Sequence, residues 1–359
     1  MMKTYWPDYY QEFKCKADKC LHTCCAGWAI CIDEDSLSRF ESNPDIMSRI
    51  EDGCFVLRDD GRCPFLRDDN LCQMIIDHGE DYICDICREH PRFYNVFDDH
   101  IEAGIGLVCE EACRLALDRS SAFELMSEDD KTMPLPQYVQ DIYDSSLPLN
   151  ARLALINGGR RTASNLRAQI YAQMEVMDPM WSGLLGKISD EPVTFEDEDK
   201  AIADNELCLT NFAAYLLYRY KGAGRFAAES VYLLADLIVK GCEIHEAARL
   251  FSGEDEYSDI NIDEALETFA DIEETPVSRI MRMEALFDMA KDHVKNEPGS
   301  VLAIQGVISK LEEYYTGPLW KTDFALDEAG RLPQGLKRGV LSEDGLYNLL
   351  ERYKELTEE

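Results

Sequence analysis

The chain has 359 residues, carries 36 Lys and Arg against 70 Asp and Glu for a net charge of −34, and is 46% hydrophobic and 10% aromatic. That apolar and aromatic content is expected to build a packed core and excludes a disordered acidic chain. A surface this negative repels phosphate backbones and anionic lipid, which argues against nucleic acid and membranes as partners and favours cationic ligands.

The opening, Met1 to Tyr10, shows no apolar core and no small-residue cleavage site. No apolar run approaches the roughly 20 residues that span a bilayer, so a cytoplasmic protein is expected. Twelve of the fourteen cysteines fall within residues 1–113, and only Cys208 and Cys242 lie beyond. A reducing cytosol keeps thiols free, so metal ligation outweighs a disulfide framework as the reason for this density.

In chain order, Cys15-x4-Cys20-x3-Cys24-Cys25 comes first and gathers four thiols in eleven residues, a pattern that thiolate-binding metals require and packing does not. Cys20 and Cys24 can share one helical face. Adjacent Cys24 and Cys25 point about 100° apart in a helix and to opposite sides in a strand, so the doublet hints at two roles. Cys63-Pro64-Phe65-Leu66, Leu71-Cys72, Cys84-x2-Cys87 and Cys109-x3-Cys113 follow. The CxxC pair suits a metal or a redox couple, although its flanks are unlike a thioredoxin site. Zinc takes four thiolate or imidazole ligands, for which His22, His78, His90 and His100 are at hand, though a lone His is more often an ordinary residue. An iron–sulfur cluster takes four thiolates, so twelve suffice for one cluster and a structural metal site together. Spacing does not choose between the metals.

Residues 119–149 are polar and broken by Ser and Pro, which reads as a linker. Asn150 is a candidate cap for a helix from Ala151 to Ile156. Helical periodicity then marks Leu166–Met177, Leu207–Tyr220, Ala227–Phe251, Ile262–Ile272, Val277–Val294, Gly299–Tyr315 and Glu343–Leu356. Phe212, Tyr215 and Leu216 form a buried-stripe pattern. No strand–helix alternation and no solenoid repeat appears. The expected fold is mainly α: an irregular cysteine-rich metal-binding domain over 1–118, a linker over 119–149 and an α-helical domain over 150–359.

Taken together, Phe13-Lys14-Cys15-x4-Cys20-x3-Cys24-Cys25-Ala26-Gly27-Trp28, Ile32-Asp33, Cys63-Pro64-Phe65-Leu66, Leu71-Cys72, His78-Gly79-Glu80, Cys87-Arg88-Glu89-His90-Pro91-Arg92 and Cys109-Glu110-Glu111 resemble the flagellin lysine N-methylase family. The cysteine half also resembles a broader group of zinc- or iron-chelating proteins built on a CC doublet. The Cys-Cys-x-Gly-Trp element and the helical second half favour the methylase, and Asn211 to Tyr220 resembles a weaker family segment. The resemblance implies a protein-lysine N-methyltransferase that moves methyl groups from S-adenosylmethionine to flagellin lysines, with a cysteine-held iron–sulfur cluster of 4Fe–4S type. It assigns Cys15, Cys20, Cys24, Cys25, Cys63, Cys72, Cys87 and Cys109 to the metal, with zinc as the alternative. Glu110 stands where proline is expected, and Cys31, Cys54, Cys84 and Cys113 fall outside the pattern.

Two familiar donor motifs are absent. Lys221-Gly222-Ala223-Gly224-Arg225 lies between helical segments and not in a strand–turn–helix unit, and no C-x3-C-x2-C occurs. Catalytic and donor-binding residues are therefore unassigned from motifs. Lysine must shed a proton before it attacks a methyl sulfonium, so a polar transfer needs a base or a site that lowers the lysine pKa. Asp33, Glu80, Asp81, Glu110 and Glu111 lie nearest the motif cysteines, and each reads first as a surface charge. Trp28, Tyr82, Phe93 and Tyr94 read first as core. The rival to the enzyme is a zinc- or iron-chelating scaffold or binding module without methyl transfer.

Overall fold

A computed structural model describes residues 2–129, 131–173, 178–253, 276–296, 301–302, 304–332 and 336–358. It is mainly helical, as the periodicity predicts, and also holds a sheet that the periodicity does not reveal. In that sheet β1 (Lys3–Pro7) lies between β5 (His100–Ile105) and β6 (Leu125–Ser127), and β4 (Arg92–Val96) forms the far edge. Strand β1 runs parallel to β5, pairing Lys3 with His100, and antiparallel to β6, pairing Trp6 with Met126. The β4–β5 hairpin is antiparallel, with Phe93 opposite Gly104. A short pair, β2 (Ile50–Glu51) and β3 (Cys54–Phe55), stands apart.

The stretch read as a linker is built into this architecture. It supplies β6 and the helix α6 (Gln137–Tyr143), and it buries Phe123, Leu125, Val139 and Ile142. Its prolines lie outside both elements, so they punctuate the segment without loosening it.

Short helices carry the cysteine half: α1 (Glu34–Phe40), α2 (Pro44–Met47), α3 (Gln73–His78), α4 (Asp85–Glu89) and α5 (Glu110–Leu117). The larger body comprises α7 (Leu149–Ile156), α8 (Ser164–Tyr171), α9 (Pro179–Asp190), α10 (Phe195–Asp204), α11 (Glu206–Arg219), α12 (Gly224–Val239) and α13 (Ile244–Gly253). Asn150 lies within α7 and does not cap it. The single helix expected over Ala227–Phe251 is two, because Gly241 takes a left-handed φ of 87° and the Cys242 amide turns back to the Leu237 carbonyl at 2.9 Å, closing α12. The helix expected over Ile262–Ile272 and the end of Leu166–Met177 lie outside the described residues. Beyond them come α14 (Pro276–Asn296), α15 (Gln305–Thr316), α16 (Pro318–Glu328) and α17 (Glu343–Glu358).

Three apolar cores organise these elements. A small one spans Ile30 to Cys84. The largest runs from Tyr9 to Phe251 and joins the sheet, α5 and α6 to α11 and α12. A third gathers Leu147 and Ala151 with residues 280–353. The main core thus crosses the boundary expected at residue 118, because the last part of the cysteine half packs on helices encoded a hundred residues later. The C-terminal half divides into two cores. Helices α11 and α12 are apolar nearly all round and sit at the centre, with Phe212, Tyr215 and Leu216 buried as the stripe predicts.

The sheet meets α11 through the Phe93 ring, which lies over Gly104 and packs edge-on against Tyr215. A Cβ at residue 104 would stand 2.3 Å from Phe93 Cζ. Gly104→Ala is expected to cost about 1–3 kcal/mol in urea unfolding, and pairing it with Phe93→Leu should recover part of that loss; an unchanged midpoint would show the ring free to retreat.

Candidate functional site

The loop of residues 13–28 turns on Gly27, whose φ of 87° only glycine adopts without strain and whose amide donates to the Gly61 carbonyl at 3.1 Å. Trp28 Nε1 donates to the Cys24 carbonyl at 2.8 Å, and the Cys63 amide donates to the Cys25 carbonyl at 2.7 Å. Both residues of the doublet are therefore held by their backbones. Glu110, at the first turn of α5, accepts from the His22 amide at 2.6 Å and from Lys16 Nζ at 2.9 Å. The residue that stands in place of proline thus fastens the cysteine loop onto the helix that follows Cys109. Burial opposes ionisation of Glu110, but the His22 amide and Lys16 outweigh it and hold the carboxyl below its ordinary range.

These elements surround a cavity of about 1220 Å³. Cys15, Cys20, Cys24, Cys87 and Cys109 line one side, and Asp178, Arg249 and Leu250 of the helical body face them. A chain of polar side chains crosses between the two walls. His22 Nε2 lies 3.1 Å from Glu246, Glu246 holds Arg249 at 2.7 Å, and Arg249 reaches Asp178, the cap of α9, at 3.1 Å.

All eight resemblance-assigned cysteines are free thiols, and five of them, Cys15, Cys20, Cys24, Cys87 and Cys109, line this cavity. Cys15 and Cys24 are exposed, Cys20, Cys25, Cys72, Cys87 and Cys109 are half-buried, and Cys63 is buried. The Cys24 hydrogen bond draws Cys25 down to about 7 and drives Cys24 upward. Burial pushes Cys20 and Cys63 up to about 11 and raises Cys72 and Cys109. Against that, Cys63 receives the Phe65 and Leu66 amides, Cys72 those of Met74 and Ile75, and Cys109 those of Glu111 and Ala112. Amides aimed at sulfur favour the thiolate, which is the form that ligates metal.

Four other cysteines sit differently. Cys31 and Cys54 are joined as a disulfide, an exception to the expectation that thiols stay free. Cys84 lies 3.5 Å from Cys87, and Cys113 is buried in the main core beneath α13. Among the described residues, no three His, Cys, Asp or Glu side chains already close around a common point that could hold an ion. The donor set nevertheless fits a thiolate-bound metal in kind, with five thiols on one wall and backbone amides at Cys63, Cys72 and Cys109.

Of the carboxylates near the motif, Asp33 caps α1 and also accepts from the Asp85 amide at 2.9 Å; although burial opposes, these amides bring it to about 2. Glu80 lines the cavity, while Glu111 pairs with Arg114. His90, which lines the cavity stacked on Trp28, is pushed by burial down to about 4 and stays neutral at physiological pH. Glu110 and His90 both stand out in the sequence, as a carboxylate near the motif and as a candidate imidazole ligand, but the roles seen here depend on partners brought from elsewhere in the chain. The Lys221–Arg225 segment joins α11 to α12 with no preceding strand, so it is not a dinucleotide turn.

The site and fold define a cysteine-lined cavity set against a helical body. The chain is similar to proteins named lysine-N-methylase from Salmonella typhimurium and Salmonella choleraesuis, at 23% identity over 204 residues, covering 51% of this chain and 48% of each relative. It spans about half the length of these curated relatives. It is also 23% identical over 134 residues to the flagellar biosynthetic protein FliU of Salmonella muenchen, covering 33% of this chain and 79% of that protein. These similarities bear out the resemblance to the flagellin lysine N-methylase family. Residues 280–359 match a family described as a domain of unknown function (DUF4298), and this span coincides with the third core. No solved structure matches the chain. Among the described residues, no helix is long and apolar enough to cross a membrane.

The depressed His90 pKa gives a pH signature. Between about 6.5 and about 4 the unfolded chain binds a proton that the folded imidazole refuses, so stability is full above pH 6.5 and falls as pH drops towards 4. Urea midpoints measured across that window should fall for the native chain and fall less for His90→Gln; parallel curves would remove His90 as the cause.

Proposed function

We propose that this protein is a lysine N-methyltransferase that takes methyl groups from S-adenosylmethionine and delivers them to flagellin lysines, with an iron–sulfur cluster held by the motif thiols. One observation carries the reading: five of the eight cysteines that define the resemblance to lysine-N-methylases, Cys15, Cys20, Cys24, Cys87 and Cys109, line one large cavity. Small-molecule pockets run to about 1,000 Å³, so a cavity of about 1220 Å³ has room for a cofactor-sized donor and an inserted side chain.

A substrate lysine enters as an ammonium and becomes a nucleophile only after losing its proton. The cavity wall offers the Glu80 carboxyl as a candidate acceptor for that proton, whereas the neutral imidazole of His90, pushed down to about 4, is a poor base. The net charge of −34 draws a cationic side chain towards the protein, and mixed charges at the cavity, including the Arg249–Asp178 pair, position it once there. When bound, the cluster would supply one-electron reducing capacity. The FliU similarity supports a flagellar substrate. A cytoplasmic setting accords with free thiols.

The test combines metal and sulfide analysis of protein purified without oxygen with transfer of labelled methyl from S-adenosylmethionine to flagellin, read by mass spectrometry at lysine. Iron with matching sulfide and methylated lysine is expected. Cys24→Ala should lower both metal content and transfer by roughly 10- to 100-fold, whereas Cys208→Ala, on α11 away from the cavity wall, should change neither. Stoichiometric zinc without sulfide, and no transfer, would replace this reading with a chelating scaffold.

A further inference from the structure

We propose that the Cys24–Cys25 doublet divides the motif thiols between two separate metal centres: a rim centre of Cys15, Cys20, Cys24 and Cys109, and a core centre of Cys25, Cys63, Cys72 and Cys87. The inference rests on the metal-binding part of the proposed function and deepens it.

The four rim thiols all line the large cavity, whereas Cys25, Cys63 and Cys72 do not. The core thiols belong to the small apolar core of residues 30–84, where Cys63 is buried and Cys25, Cys72 and Cys87 pack against its surface, Cys87 also reaching the cavity wall. Backbone pairing draws that second set together. Cys63 donates to the Cys25 carbonyl at 2.7 Å, Ala26 bridges Arg62, and Leu66 bridges Cys72. A different device gathers the first set, since Glu110 fastens the loop of Cys15, Cys20 and Cys24 beside Cys109 through Lys16 and the His22 amide.

Cys84, outside the assigned set and 3.5 Å from Cys87, stands behind that ligand as its hydrogen-bonding neighbour. Each set supplies four sulfurs, which is the complement of a tetrahedral metal or of one cubane cluster.

The two centres have different tasks. Metal at the rim faces the cavity and meets the ligand, whereas metal in the core fastens a unit too small to be stabilised by its apolar side chains alone.

The test uses the full chain, purified without oxygen and analysed for iron, sulfide and zinc. Cys20→Ser and Cys109→Ser are expected to remove one metal complement and leave near-ultraviolet circular dichroism and Tm nearly unchanged. Cys63→Ser and Cys72→Ser are expected to remove the other and lower Tm by about 5 °C or more. Should the core variants fail to fold, chelator titration of the native chain decides: two phases are expected, the first without loss of circular dichroism and the second with it. A single phase, or rim and core variants depleting the same metal population, would overturn the division. Methyl transfer assayed on the same preparations keeps the questions apart, since two complements without transfer would sink the methylase reading alone, and transfer with one complement would sink the division alone.

Discussion

Helix α11 is the element on which the architecture depends, because polar groups on it bond directly to the backbone of the sheet and of the segment that ends α5. Asn211 Nδ2 donates to the Leu117 and Arg119 carbonyls, both at 2.9 Å, at the end of α5. Tyr218 Oη donates to the Ala103 carbonyl of β5 at 2.8 Å. Asn95 of β4 returns the contact by donating to the Arg219 carbonyl at 2.8 Å. Buried carbonyls must be paired, so these bonds fix where the sheet and α5 sit on the helical body. Since Cys109 precedes α5 directly, they also fix one thiol of the cavity relative to its opposite wall.

Glu110 then carries that positioning outward to the rest of the thiol wall. The Cys15–Cys25 loop has little secondary structure of its own, only a short 3-10 turn over Ala17–Lys19. Its order comes from side chains and from the backbone of the 61–63 strip. A loop held this way keeps its thiols at the surface, where a scaffold of regular helices would bury them, and surface loops on a rigid frame are where binding groups commonly reside. The His22–Glu246–Arg249–Asp178 chain completes the enclosure by joining that loop to two helices of the body.

Much of this was legible in the sequence, and the part that was not has a common cause. The cysteine spacings identify the thiols around the cavity, and the stripe of Phe212, Tyr215 and Leu216 identifies the central helix, because both signals are local. Strand β1 is illegible since its parallel partner β5 lies about a hundred residues away, and a five-residue segment rich in aromatics has no periodicity to detect. Residues 119–149 misled for the opposite reason: Ser and Pro between short elements resemble a linker, while the buried faces of β6 and α6 are too brief to stand out. Glu110 looked like a surface charge because Asp and Glu usually are, and only the fold brings Lys16 and the His22 amide to it. The Cys31–Cys54 disulfide likewise joins residues that no local spacing pairs.

A buried ionic network cross-links the helical body behind the cavity wall. Arg167 of α8, fully buried, meets Glu198 of α10 and both Glu229 and Asp236 of α12, while Arg161 pairs with Glu198 and Asp199. Within the buried set of Arg161, Arg167, Glu198, Glu229 and Asp236, ionising every carboxyl would leave three negative charges against two positive. Burial raises Asp236 well above its ordinary range, with Arg167 opposing the effect and Glu198 adding to it. Removing one partner from such a network leaves an uncompensated charge, which costs more than the network contributes over an apolar core. The network therefore specifies one arrangement of α8, α10 and α12. That single arrangement lets the body present α9 and α13 as a fixed wall, against which a loop with little regular structure can hold its thiols in register.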